Sequence, residues 1–191
     1  MARLKADPLR AFRSANYRAY ALGFLCGSTG LQMLATAVQW DLWERTHDAL
    51  WLGYSGLARA IPVMLLALPA GHRADVVDRR SMLIVTQALF AIAALVFALV
   101  SFLDAPPWML LALLVLTGVI RAFAGPSRSS LLPLLVPRSR FENAVTWSSG
   151  IFHFAAVVGP LIASLLISML GGSTIVYLAT AVGCGAFALS G

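Results

Sequence analysis

Gly71-His72-Arg73-Ala74-Asp75-Val76-Val77-Asp78-Arg79-Arg80 is a short, densely charged stretch set between two long apolar runs, Ala49 to Gly71 and Ser81 to Leu103. The stretch reads as a connector. A glycine lets a helix end and turn, and Asp75, four residues ahead of Arg79, can form an ion pair across one turn. Each flanking run reaches the about 20 residues that a helix rising about 1.5 Å per residue needs to cross a hydrocarbon layer about 30 Å thick. A charged connector between two such runs makes lipid the solvent on either side of it.

Composition agrees. Of 191 residues, 60% are hydrophobic and 12% charged, whereas a soluble domain carries about 25% charged residues. The net charge of +6 and pI near 10.2 would suit a nucleic-acid binder only if the basic residues shared a polar face in front of a soluble core. They lie between apolar runs instead, so nucleic acid is not an expected partner; membrane lipid is. Cys26 and Cys184 sit inside apolar stretches and read as small buried hydrophobes, not as a disulfide or metal site.

Six apolar runs are predicted to span the membrane: Tyr17 to Trp40, Ala49 to Gly71, Ser81 to Leu103, Pro107 to Pro126, Asn143 to Met169 and Ser173 to Ser190. All must be helices, because isolated strands would leave backbone groups unpaired in lipid and the alternation of a barrel strand is absent. The expected fold class is therefore an all-α polytopic membrane bundle, with residues 1–16 as an N-terminal segment and 17–191 as one domain. Met1 to Arg18 is too polar for a cleavable leader, which predicts that the first helix is retained.

Orientation follows from the basic residues. Arg3, Lys5, Arg10, Arg13 and Arg18 precede span one, Arg73, Arg79 and Arg80 follow span two, and Arg128, Arg138 and Arg140 follow span four. On the other side stands Arg45, with Asp41, Glu44, Asp48 and Asp104. The positive-inside rule places the N-terminus in the cytoplasm and the protein in the plasma (inner) membrane as a multi-pass chain. Trp40, Trp43, Trp51 and Trp108 fit an outer aromatic belt. An even number of spans returns the C-terminus to the cytoplasm, and the stop at Gly191 without a basic anchor reads as a chain cut short.

The opening stretch resembles the signature loop of the major facilitator superfamily, roughly Gly-x-Leu-Ala-Asp-Arg-x-Gly-Arg-Arg. Gly71, Ala74, Asp75, Arg79 and Arg80 match; Arg73, Val76 and Asp78 depart. Aspartate at the second glycine is similar to the enterobactin-exporter-like and drug-efflux-like branch. Ala155-x-x-x-Gly159-Pro160-x-x-Ala163-Ser164 resembles that branch's Gly-Pro helix, where Pro160 removes a hydrogen bond and kinks the helix while Gly159, Ala163 and Ser164 allow close contact. Arg121-Ala122-Phe123-x-Gly125-Pro126 is similar to the family's fourth span. The resemblance implies the N-terminal half of a twelve-helix secondary transporter and a second six-helix half as partner, from the missing C-terminal part or another copy. It also implies outward movement of a drug, siderophore or other small hydrophobic metabolite by proton exchange. No nucleotide-binding loop occurs, so the expected energy source is an ion gradient, with no bound cofactor and no metal.

Ionisable groups inside spans cost about 2.5–3.5 kcal/mol each and usually face a cavity or a partner, which singles out Arg59 and Arg121. The resemblance gives Arg121 a role in proton or substrate coupling; a structural arginine bonded to helix carbonyls is the other reading. Arg59 is expected to pair with Asp41 near the outer vestibule, or else to snorkel to the outer headgroups. Gln32, Thr36 and Gln39, with Thr29, lie within about 80° on span one and would face a central cavity. His153, near mid-membrane in span five, could exchange protons near neutral pH, or serve as a neutral packing residue. Gly23-x-x-x-Gly27 and Gly183-x-Gly185 read as helix-packing patches.

Two other classes fit less of the sequence. Gly53-Tyr54-Ser55-Gly56 has the form of a rhomboid-type intramembrane serine protease, but a nucleophile needs a positioned base and His153 is the deep histidine available. A truncated, non-transporting membrane protein is the second, because alternating access requires two bundles.

Overall fold

The computed structural model of the chain describes residues 14–137 and 141–190, without the side chains at 15, 16, 74–76, 79, 126–135 and 190. The predicted roles of Arg3, Lys5, Arg10, Arg13, Arg138 and Arg140, and of the Asp75 and Arg79 side chains, lie outside the described residues. What is described is six helices and no strand: α1 Ala15–Thr46, α2 Ala49–Val76, α3 Arg79–Phe102, α4 Pro107–Leu135, α5 Phe141–Leu170 and α6 Thr174–Ser190. The all-α bundle expected from the apolar runs is the fold observed. Five helices are long and apolar enough to cross a membrane; α6, at 17 residues, rises only about 25 Å.

Three helices overrun their predicted ends. α1 continues past Trp40 to Thr46, where His47, in the left-handed region at φ 47°, stops it by donating its N–H to the Trp43 carbonyl at 2.8 Å. α2 continues past Gly71 to Val76, so that glycine lies inside the helix and does not end it. The stop comes at Val77, whose extended backbone turns the chain while its N–H bonds the Arg73 carbonyl. α4 runs to Leu135, beyond Pro126. Hydropathy marks where an apolar layer ends, whereas a helix ends where its backbone bonds find another outlet.

The strongly packed pairs are α5 with α1, α1 with α6, α6 with α3, α3 with α4, and α4 with α2. The helices thus form a path, α5-α1-α6-α3-α4-α2, and lesser contacts tie α1 to α2 and α4. Exchanging α1 with α4, α2 with α5 and α3 with α6 maps the path onto itself. Helices three apart in a six-helix span run in opposite directions, so this is the signature of an inverted three-plus-three repeat about the α3·α6 seam. α2 and α5, at the ends of the path, leave Met64, Leu65, Leu68, Val157, Leu161 and Leu165 exposed, as a lipid-solvated face requires.

Small residues close the seams, as they must where no hydrophobic effect drives helices together. A Cβ added at Gly183 of α6 would stand 2.9 Å from the Cys26 carbonyl oxygen on α1, and one at Gly27 of α1 would stand 2.8 Å from Phe187. Beside them, the Thr180 hydroxyl donates to the Gly30 carbonyl at 2.8 Å. Gly185, paired with Gly183 in the sequence reading, has open space around it and does not share that role.

Candidate functional site

Midway along the α2·α4 seam the backbones nearly touch. A Cβ on Gly118 would lie 2.9 Å from the Arg59 carbonyl oxygen and 3.1 Å from Pro62 Cγ. This contact sets Arg59 of α2 beside Arg121, which is one turn further along α4. The two guanidinium groups are close enough to act on each other electrostatically, and both line a small cavity with Leu31, Leu34, Phe90, Thr117 and Gly118. Thr117 directs its hydroxyl back to the Leu114 carbonyl. Neither arginine has a hydrogen-bond or ion-pair partner among the described residues. Helices α1 to α4 thus converge on two unneutralised cations about 15–20 Å from the ends of α2 and α4 at which those helices begin.

The polar stripe on α1 lies mostly against α5. A Cβ on Gly159 would come within 2.6 Å of Gln32 Cβ and 3.0 Å of the Thr29 carbonyl oxygen, so the Gly-Pro segment of α5 docks directly on the stripe. Pro160 stands within the continuous helix and Ala163 is fully buried in the core with Met33 and Leu34. Thr36 bonds the Gln32 carbonyl of its own helix, and Gln39 is exposed. His153 is exposed on α5, its ring edge-on to Phe152, and is not brought to the arginines. Ser55, the serine of the protease-like tetrapeptide, is fully buried on α2 and donates to the Leu52 carbonyl at 2.7 Å.

Asp41 does not pair with Arg59. Its carboxylate accepts from Arg45 at 3.3 Å, one turn along the same helix, and from the Tyr177 hydroxyl of α6 at 3.1 Å. Arg45 in turn donates to the carbonyls of Ser101, in the last turn of α3, at 3.2 Å and of Ala105, beyond that helix, at 2.5 Å, and lies 3.9 Å from exposed Asp104. Ser101 and Ser173 share a hydrogen bond at 3.1 Å. The cause is simple: this face of α1 looks at α6 and α3, while α2 packs on α4. The network borders a polar cleft of about 410 Å³ lined also by Trp40, Glu44 and Gly172. At the opposite end of α1, buried Tyr17 donates to the Ala144 carbonyl of α5 at 3.0 Å.

In the signature stretch, Asp78 is the N-cap of α3, its carboxylate accepting from the Ser81 N–H at 2.8 Å. Gly71 is half-buried with nothing near its missing Cβ, and Arg80 is exposed. Asp78→Ala is expected to cost about 0.5–2 kcal/mol and Asp78→Asn much less, read as the thermal unfolding midpoint of the purified variants in detergent. Equal midpoints for the two variants would rule out capping.

Several participants escaped the sequence reading. Tyr177 and Ser101 sit within apolar runs and gain meaning only from the partners that folding brings. Gln87 of α3 is fully buried, and neither end of its amide has a hydrogen bond among the described residues; the Oε1 faces Gly27. A polar amide in an apolar run was the available signal. Among the described residues no cluster of His, Cys, Asp and Glu could hold a metal ion.

Six helices in an inverted repeat with small-residue seams define a polytopic membrane helix bundle. The chain belongs to the major facilitator superfamily: the family described as transmembrane secretion effector matches residues 6–189. It is similar to macrolide efflux protein A of Streptococcus pyogenes, 28% identical over 138 residues, which covers 72% of this chain and 34% of that protein. The staphyloferrin A transporter of Staphylococcus aureus is 29% identical over 150 residues, 78% of this chain and 36% of its own length. The multidrug efflux pump Tap of Mycolicibacterium fortuitum is 28% identical over 154 residues, 78% of this chain and 38% of that protein. The chain thus spans little more than a third of these relatives. No solved structure matches it.

Proposed function

We propose that this bundle is one half of a secondary active exporter, which moves small hydrophobic molecules outward by alternating access in exchange for protons. The observation that carries the reading is the pair Arg59 and Arg121 held at mid-depth where α1 to α4 converge, within a chain whose relatives are named for efflux and siderophore transport. An ionisable group at mid-membrane marks a substrate or ion path, and an inverted repeat is the element that rocks against a second such element. The second bundle is supplied by the rest of a longer polypeptide or by another copy. The basic residues of the α2–α3 and α4–α5 connections support a cytoplasmic location for those ends in an inner membrane, and on that reading the Asp41 network belongs to the outer side. There it ties α1 to α6 and α3 and is poised to hold the half rigid while the two halves rock.

Everted membrane vesicles containing this chain together with a second six-helix half test the reading. An imposed proton gradient, acid inside, is expected to drive uptake of at least one compound from a panel of radiolabelled hydrophobic anions, neutral molecules and cations, and a protonophore to abolish it. Gradient-independent equilibration of every compound tried would overturn the exporter assignment.

A further inference from the structure

We infer that the cargo of this bundle is anionic, and that Arg59 and Arg121 together receive its carboxylate; the inference rests on the exporter reading and narrows it. Two neighbouring positive charges at mid-depth repel each other and draw no compensation from the described residues around them. Leu31 and Leu34 of α1, Phe90 of α3, and Thr117 and Gly118 of α4 are neutral. α3 and α4 carry no acidic residue, and α2 carries only Asp75, in its last turn. Asp41 is engaged by Arg45 and Tyr177, and Glu142 stands in the first turn of α5. An anion is therefore the ligand that removes both the repulsion and the desolvation cost.

The chemistry of the donors narrows the anion further. Guanidinium presents a planar fork that matches a carboxylate by two parallel N–H···O bonds. The cavity between the two arginines holds about 20 Å³, about the space of one water-sized group. It has no room for a whole molecule, so the body of the cargo stays outside it. Arg59 is half-buried and Arg121 exposed, so the pair is reached from the Arg121 side. An amphipathic carboxylate fits this description; a bulky cation does not.

Three probes built on a ten-carbon chain separate the possibilities: decanoate, decanol and decyltrimethylammonium, measured by equilibrium dialysis against the purified chain in nanodiscs of neutral phosphatidylcholine. Decanoate is expected to bind saturably and about tenfold or more tightly than the other two. Arg59→Gln and Arg121→Gln are each expected to weaken decanoate about tenfold or more, leaving decanol unchanged, and the Lys variants to restore part of the loss. The wild-type ranking needs no variant, so misfolding of a Gln variant leaves the test intact. Decanoate binding no tighter than decanol overturns the anionic cargo, as does decanoate binding that survives both Gln substitutions. Loss of decanoate binding when a second six-helix half is present also overturns it, because the carboxylate then comes from that half. Gradient-driven uptake of a neutral or cationic member of the vesicle panel keeps the exporter reading standing in each of these cases, so the two failures are separable.

Discussion

Leucine at Gly159 is expected to leave the chain unable to close α5 onto α1, and alanine there to cost about 1–3 kcal/mol. The first added carbon already stands 2.6 Å from Gln32 Cβ and 3.0 Å from the Thr29 carbonyl oxygen. One of these neighbours is backbone in a continuous helix, so relief requires the two helices to separate. Lipid offers no hydrophobic penalty against that separation, because the freed faces find acyl chains instead. Gly71 gives the contrast. It too belongs to a stretch that resembles the family, yet nothing lies within 4 Å of its missing Cβ. Gly71→Ala is expected to be neutral, or to stabilise by up to about 1 kcal/mol through helix propensity. Unfolding midpoints in detergent compare the two, and Gly159→Ala at parental stability would refute the packing account.

The second large effect falls at Asp41. Removing one partner of a buried ion pair leaves an uncompensated charge and costs about 3–5 kcal/mol, and here Arg45 and Asp41 are only 14% and 10% exposed. Asp41→Ala also strips the Tyr177 hydroxyl of its acceptor. Asp41→Asn keeps an acceptor there and is expected to fall between the alanine variant and the parent. A double-mutant cycle with Arg45→Met should show the double variant less destabilised than the sum of the singles. The same cycle run with Arg59→Met should be additive within about 0.5 kcal/mol, since groups without shared partners do not couple. Additivity in the Arg45 cycle would mean that the ion pair does not contribute to stability.

The spans were legible because a lipid-crossing helix must be apolar for about 20 residues, a signal that no tertiary contact can hide. Arg59 and Arg121 were legible for the same reason, as charges where charges are expensive. The partner of Asp41 was not. Arg45 lies four residues away, but the apolar run ends at Trp40, and only the continuation of α1 to Thr46 gives the two residues helical spacing. Tyr177 lies 136 residues on, and nothing local in α6 names its acceptor. Gly118 makes a backbone contact as close as the seam glycines of α1 and α6, yet it stood outside every motif. Which face of α4 meets α2 is a property of the packed bundle and not of the α4 sequence.

The path α5-α1-α6-α3-α4-α2 has a temporal meaning as well. Among its five seams only α3·α4 joins helices that follow each other along the chain. α1 finishes at Thr46, and residues 47–140 must be made before α5 begins. α6, which holds Tyr177 against Asp41, comes later still. During synthesis α1 therefore waits in the bilayer without either of its main neighbours, its carboxylate held by Arg45 alone. Assembly is concentrated at the end of translation, and a ribosome that stalls before α6 leaves five inserted helices from which the central seam is missing.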